Sequence, residues 1–174
     1  TLNRSLEVAQ VYYQQMQEQA KFNARQISAD ITKNRLYEKE RADYLKVFIE
    51  QRQKNYKQGM IEVYFDFQQE KMVFPDLEYP DLMPVDLTPK MTEDIYSGKE
   101  ESTIQPSDKG DIIVGIAPVF ASAIPGEVIG RVSVSYLIPK GFVDKLKSIA
   151  DASGQYQKIE LLKKPIKLNY TVTL

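Results

Sequence analysis

The sequence predicts an α+β fold: an antiparallel sheet with a long N-terminal helix and a second helix packed on it. Three observations predict it. The first third of the chain carries an apolar repeat near 3.5 residues, with neither proline nor glycine before Gly59. Beyond Gly59 the apolar period drops to two. Two long apolar runs, 111–119 and 128–138, flank a segment containing Pro125-Gly126, the pattern of an antiparallel hairpin at the centre of a sheet.

In the first helix, Leu2, Leu6, Ala9, Tyr13, Met16, Ala20, Asn23, Ile27 and Asp30 follow strict 4-3 spacing and form one mostly apolar seam. Glutamines (Gln10, Gln14, Gln15, Gln17, Gln19) crowd the remaining surface and are compatible with a helix. The seam fades at Thr32-Lys33-Asn34, where polar residues suit a turn. A second helix is expected over 36–56, burying Tyr37, Tyr44, Leu45, Phe48 and Ile49, with Gly59 as its C-terminal glycine. Two readings of the seam stay open: packing within the chain as a helical hairpin, or association with a second copy.

The strands follow from alternation. Ile61, Val63, Phe65 and Phe67 alternate with Glu62, Tyr64 and Asp66, which predicts a half-buried strand. Residues 71–74 are a short partner strand after a turn at 68–70. The stretch 75–89 holds four prolines and several aspartates and reads as loop, before a short helix over 91–97 that stops at Gly98. A further strand is expected over 102–105, and a terminal helix over 139–152 with Phe142, Leu146 and Ile149 on one face.

Composition removes whole classes of function. At 174 residues, 43% hydrophobic and 27% charged, the chain builds a core and is not disordered. A net charge of −1 argues against a nucleic-acid partner. There is no histidine and no cysteine, so Ser-His-Asp and Cys-His catalysis, disulfides and the usual zinc sites are all absent. No metal or cofactor is expected. Asp76, Glu78, Asp81 and Asp86 lack calcium-loop spacing, no Gly-rich phosphate loop exists, and Tyr12, Tyr13, Tyr37, Tyr44, Phe48 and Tyr56 read as helix packing. The chain begins at Thr1, has no apolar run of spanning length, and reads as a segment of a longer protein.

The run IVGIAPVFAS followed by GEVIGRVSVSYLIP, with Gly126 and Gly130, resembles the C-terminal half of Cache-type, PAS-like extracytoplasmic sensor domains. LNRSLEVAQVYYQQMQEQAKFNARQIS at the start and LKKPIKLNYTVTL at the end are similar to the membrane-flanking segments of NtrY-type nitrogen-regulation sensor histidine kinases. The resemblance implies a PAS-like (single Cache) fold in a periplasmic loop between two transmembrane helices, with Pro165-Ile166-Lys167 leading into the second. It divides the chain into an N-terminal helical region (1–58), a PAS-like sensor domain (59–157) and a membrane-proximal segment (158–174). It also implies a homodimeric receptor whose missing cytoplasmic part is a kinase serving a response regulator. This chain, lacking a histidine to phosphorylate, is then not itself an enzyme. Lys158, Lys163, Lys164 and Lys167 read as a solvated basic tail.

Alternation puts Glu62, Tyr64 and Asp66 on one side of the first strand and Arg131, Ser133 and Ser135 on one side of the last. If those strands pair, the candidate ligand residues Tyr64, Asp66, Arg131, Ser133 and Ser135 line one face and suit a small polar ligand such as an amino acid or carboxylate. The same pattern also describes a face covered only by water or by the 75–89 loop. Leu6, Ala9, Tyr13, Met16, Ala20 and Ile27 are the expected signal-relay seam. The leading function is therefore an extracytoplasmic sensor, and the alternative is a ligand-free dimerisation or periplasmic protein-interaction domain. A carboxylate-dependent hydrolase ranks last, because no pair of carboxylates stands out.

Overall fold

The computed structural model describes residues 2–84, 86–122 and 126–151. The segment expected next to the membrane, 158–174, and its four lysines lie outside the described residues. The fold is α+β: a five-stranded antiparallel sheet, a long N-terminal helix and shorter helices on both faces. Helix α1 spans Leu2–Lys33, α2 Ala42–Tyr56 and α3 Pro89–Tyr96, and residues 142–151 form α4. The strands are β1 (Met60–Phe65), β2 (Met72–Phe74), β3 (Glu101–Ser107), β4 (Gly110–Phe120) and β5 (Val128–Pro139), in the order β2-β1-β5-β4-β3. Pro106 sits in β3, the edge strand, where a missing N–H interrupts no ladder.

α1 lies across β3, β4 and β5 on one face of the sheet. From Tyr13 onward its seam meets the sheet of its own chain: Ala20 and Ile27 are buried and Tyr13 and Met16 are half-buried, while before Tyr13 Ala9 is buried and Leu6 is exposed. Burial in the last two turns widens to Asn23, Ala24, Ile27, Ser28 and Ile31, the stripe that a flat partner requires and a 3.5 seam does not. Gly115 makes this seat possible, since a Cβ there would lie 2.2 Å from the main chain of α1 at Ala20 and Lys21. Two hydroxyls complete it. Ser28 donates to the carbonyl of Pro118 (2.5 Å) and Thr32, one turn on, to that of Phe120 (2.7 Å), beyond the point where β3 stops pairing with β4.

α2 lies on the same face beside α1, joined to it by Arg52–Asp30 (3.6 Å), and both feed one core with β1, β4 and β5. It starts at Ala42 and not at 36, because a turn and a short 3-10 helix (Lys39–Arg41) fill the gap. Leu45 and Ile49 are buried as expected, whereas Tyr44 is 70% exposed, since one apolar stripe suffices for a helix lying on a sheet. The left-handed residue that ends α2 is Lys57. Gly59, expected in that role, serves instead to let β1 approach β5, where a Cβ would lie 2.2 Å from the carbonyl oxygen of Ser135. Gln53, buried, ties α2 to the sheet by sharing its two amide protons among the carbonyls of Gly59, Phe74 and Pro75.

β1 is buried on both faces except at Tyr64, contrary to a half-buried strand. The reason is that Tyr79, Leu82 and Leu87 from the loop, with Met91 and Ile95 of α3, cover the far face and form a second core with Met60, Ile112, Val114 and Ile116. Phe67 falls outside β1 and is exposed, stacked on Phe65. The β4–β5 hairpin pairs from Gly110↔Pro139 to Phe120↔Val128.

α1 overhangs the sheet. Tyr13 donates to the carboxylate of Asp111, the second residue of β4 (2.5 Å), so the preceding eleven residues run past the sheet by roughly 16 Å. β5 leaves the sheet at this same end, and α4 follows with Phe142 against Tyr12 (centroids 5.2 Å). Val143 packs with Tyr12 and Tyr13 against the cluster of Ala20, Ile113 and Ile138, so the start of α4 lies against α1. No helix among the described residues is long and apolar enough to cross a membrane.

Candidate ligand pocket on the sheet face away from the long helix

The pairing of β1 with β5 sets Tyr64 directly opposite Arg131, Glu62 opposite Ser133 and Met60 opposite Ser135, all on the face away from α1. The polar residues singled out on the two strands therefore share one side. Tyr64, Arg131 and Ser133, with Glu62, line a cavity of about 50 Å3, room for about four water-sized groups. Lys71, just before β2, and Asp86 and Leu87 of the loop close it. Beside it the same face turns apolar, where Ile95 of α3 and Leu82 of the loop cover Ile112, Val114 and Ile116.

Each charged group in the wall has a distinct environment. Glu62 is only 6% exposed and is neutralised by Lys71, whose Nζ lies 2.9 Å away. A buried carboxylate of this kind depends on its partner, because removing one member leaves an uncompensated charge. The Arg131 guanidinium lies 4.6 Å from the centre of the Tyr64 ring and donates to the Tyr96 hydroxyl, which leaves further N–H groups for another partner. Neither Arg131 nor Asp86 has an ion-pair partner among the described residues.

Two of the expected residues stand apart from the cavity wall. Asp66 follows the end of β1 and accepts a hydrogen bond from the Tyr96 hydroxyl, pinning α3 to the strand. Burial, followed by that carboxylate, pushes the Tyr96 phenol up to about 12 against the opposing pull of Arg131. Ser135 lies deeper, with no exposure, and its hydroxyl has no hydrogen-bond partner among the described residues. A second link holds α3 in place. Asp94 and Glu101 share a hydrogen bond that lowers the pKa of Asp94, while burial and then Asp94 raise that of Glu101. The α3 N-terminus is capped by Thr88, which accepts from the Met91 amide at 3.2 Å.

Sequence reasoning passed over Lys71, Asp86, Leu87 and Tyr96. Among the described residues no group of three metal-binding side chains converges. Asp76 is instead an internal turn cap, accepting from the amides of Glu78 and Tyr79, and Asp81 lies 3.8 Å from Lys109. Larger hollows, about 390 to 560 Å3, lie around α2 and along the overhang of α1. They are more open to solvent, and none is lined by the polar residues that β1 and β5 share on the face away from α1. No family model matches the chain, and no curated protein has significant similarity to it.

Proposed function

We propose that this chain is the extracytoplasmic, PAS-like (single Cache) sensing domain of an NtrY-type two-component sensor histidine kinase. The polar cavity receives a small ligand and the paired helices α1 and α4 carry the signal to flanking transmembrane segments. One observation carries the reading: β5 leaves the sheet at the end that α1 overhangs, and α4 starts there against α1, through Phe142 on Tyr12. A domain looped between two membrane spans needs both ends of its chain to leave in the same direction. The antiparallel order β2-β1-β5-β4-β3, with helices on one face and a loop-covered polar pocket on the other, fits the PAS-like reading. On this reading the domain is periplasmic, has no enzymatic activity of its own, and works in a homodimer whose kinase part phosphorylates a response regulator.

Signalling requires that ligand favour one arrangement of α1 over another. The sheet-bound half of α1 is part of the core, so the informative perturbation lies in the overhang. Gln10 is exposed there, and Gln10→Pro breaks the helix at a local cost of about 3 kcal/mol. The expected outcome is a domain that still melts cooperatively and binds ligand while the membrane-embedded full-length kinase no longer responds. Unaltered kinase regulation by that variant would sink the relay. A second reading, a protein-interaction domain without a small ligand, draws support from the exposed apolar residues Tyr44 and Val47 on α2 and Leu77 in the loop. No melting-temperature response to any amino acid, organic acid or ion would transfer weight to it.

A further inference from the structure

We infer that the pocket takes a small zwitterion, with an ammonium and a carboxylate on the same or neighbouring carbons, held between Asp86 and Arg131. The inference rests on the ligand-sensing reading above and names the ligand's chemistry. Four charged side chains line the cavity, and two of them, Glu62 and Lys71, neutralise each other within the wall. Arg131 and Asp86 remain, one cation and one anion, each unpaired among the described residues and not bridged to one another.

A wall of zero net charge with one unmatched group of each sign complements a ligand carrying both signs. A simple carboxylate satisfies Arg131 but is repelled by Asp86, and an alkylammonium meets the reverse problem. Tyr64 occupies one face of the guanidinium at 4.6 Å and the Tyr96 hydroxyl accepts from it, so its remaining N–H groups are left for a carboxylate, with Ser133 on the same strand face beside it. Asp86 belongs to the loop that closes the cavity, so a ligand bridging it to Arg131 ties the loop to the sheet. The cavity of about 50 Å3 limits the enclosed part to an amino-acid head group with little or no side chain.

The test is titration calorimetry and thermal shift on the chain with glycine, L-alanine, sodium acetate and methylammonium chloride at matched ionic strength. Glycine or alanine is expected to bind and raise the melting temperature, with acetate and methylammonium each weaker by about tenfold or more. Asp86→Asn, at an exposed position compatible with folding, should weaken glycine by a similar factor and bring acetate level with it. Arg131→Gln should abolish both. Acetate binding as tight as glycine, unchanged by Asp86→Asn, would overturn the zwitterion while leaving the sensing reading intact. So would a different ligand class that binds and is lost in Arg131→Gln. A lower melting temperature of ligand-free Asp86→Asn without any glycine response would also overturn it, because Asp86 would then be latching directly onto Arg131. Silence from all four probes and from a broad metabolite panel would remove both readings.

Discussion

Replacing Gly115 with alanine tests whether α1 rests on the sheet by direct main-chain contact. The new Cβ would stand 2.2 Å from the Ala20 carbonyl carbon and the Lys21 amide nitrogen, where ordinary contact begins at 3.4 Å. The layers must part there by the difference, about 1.2 Å, and a gap of that order forfeits roughly half of the dispersion attraction between facing atoms. Overpacking costs about 1–3 kcal/mol, and the upper end applies because backbone cannot swing aside as a side chain can. For a chain of this size, about 3 kcal/mol lowers the melting temperature by about 6–12 °C. Circular dichroism melts of Gly115→Ala provide the measurement. Adding Ala20→Gly should give no rescue, because the clashing atoms are main chain and a helical glycine costs about 1 kcal/mol more. A drop smaller than about 2 °C, or rescue by Ala20→Gly, would refute the seat.

Ser135→Ala should leave stability unchanged or raise it by about 1–2 kcal/mol in a urea melt, because it removes a fully buried hydroxyl that lacks a partner. A clear loss would reveal a bond to that hydroxyl. Tyr136 predicts an alkaline signature. Burial pushes its phenol up to about 12 from an unfolded value of 10. A raised folded pKa gives stability that is complete below pH 10 and is lost as pH climbs through 12, about 2–3 kcal/mol across that window. Tyr136→Phe should flatten this slope while costing about 1–3 kcal/mol at neutral pH, since the buried Asn23 amide loses its acceptor. An unchanged alkaline slope would mean that Tyr136 does not govern it.

The parts of this fold legible in the sequence are those governed by local periodicity. α1 could be drawn to within a residue or two because nothing before Gly59 breaks a helix, and the extents of β4 and β5 followed from the apolar runs on either side of Pro125-Gly126. Helix faces were less legible. Tyr44 and Leu45 are adjacent and both apolar in character, yet only contact with the sheet decides that Leu45 is the buried one. β1 reads as half-buried because Glu62 interrupts its apolar residues, and that glutamate is buried by virtue of Lys71 reaching it from just before β2. The strand contribution to the pocket was visible as Tyr64, Arg131 and Ser133, since side chains two apart share a face. Its loop contribution was not, because a proline-rich segment has no period from which to infer that Asp86 and Leu87 return to the sheet.

The two hydroxyl bonds from α1 to the edge of β4 restrict how that helix can travel. Four residues of helix advance about 6 Å and two residues of strand about 6.8 Å, so Ser28 and Thr32 match Pro118 and Phe120 nearly in step. Sliding α1 along its axis by one or two ångströms leaves both hydroxyls facing no acceptor, and the match returns only after a whole strand repeat. Axial displacement is therefore stepped, whereas tilting about this end leaves both bonds in place. Ala20 lies about 12 Å from such a fulcrum at Ser28 and Arg4 about 36 Å, so lifting the helix by one ångström over Gly115 swings its overhanging end by about three. The anchored end of α1 makes the helix a lever that multiplies displacement about threefold, in which a small opening between the layers becomes a displacement large enough to reorient a neighbouring helix.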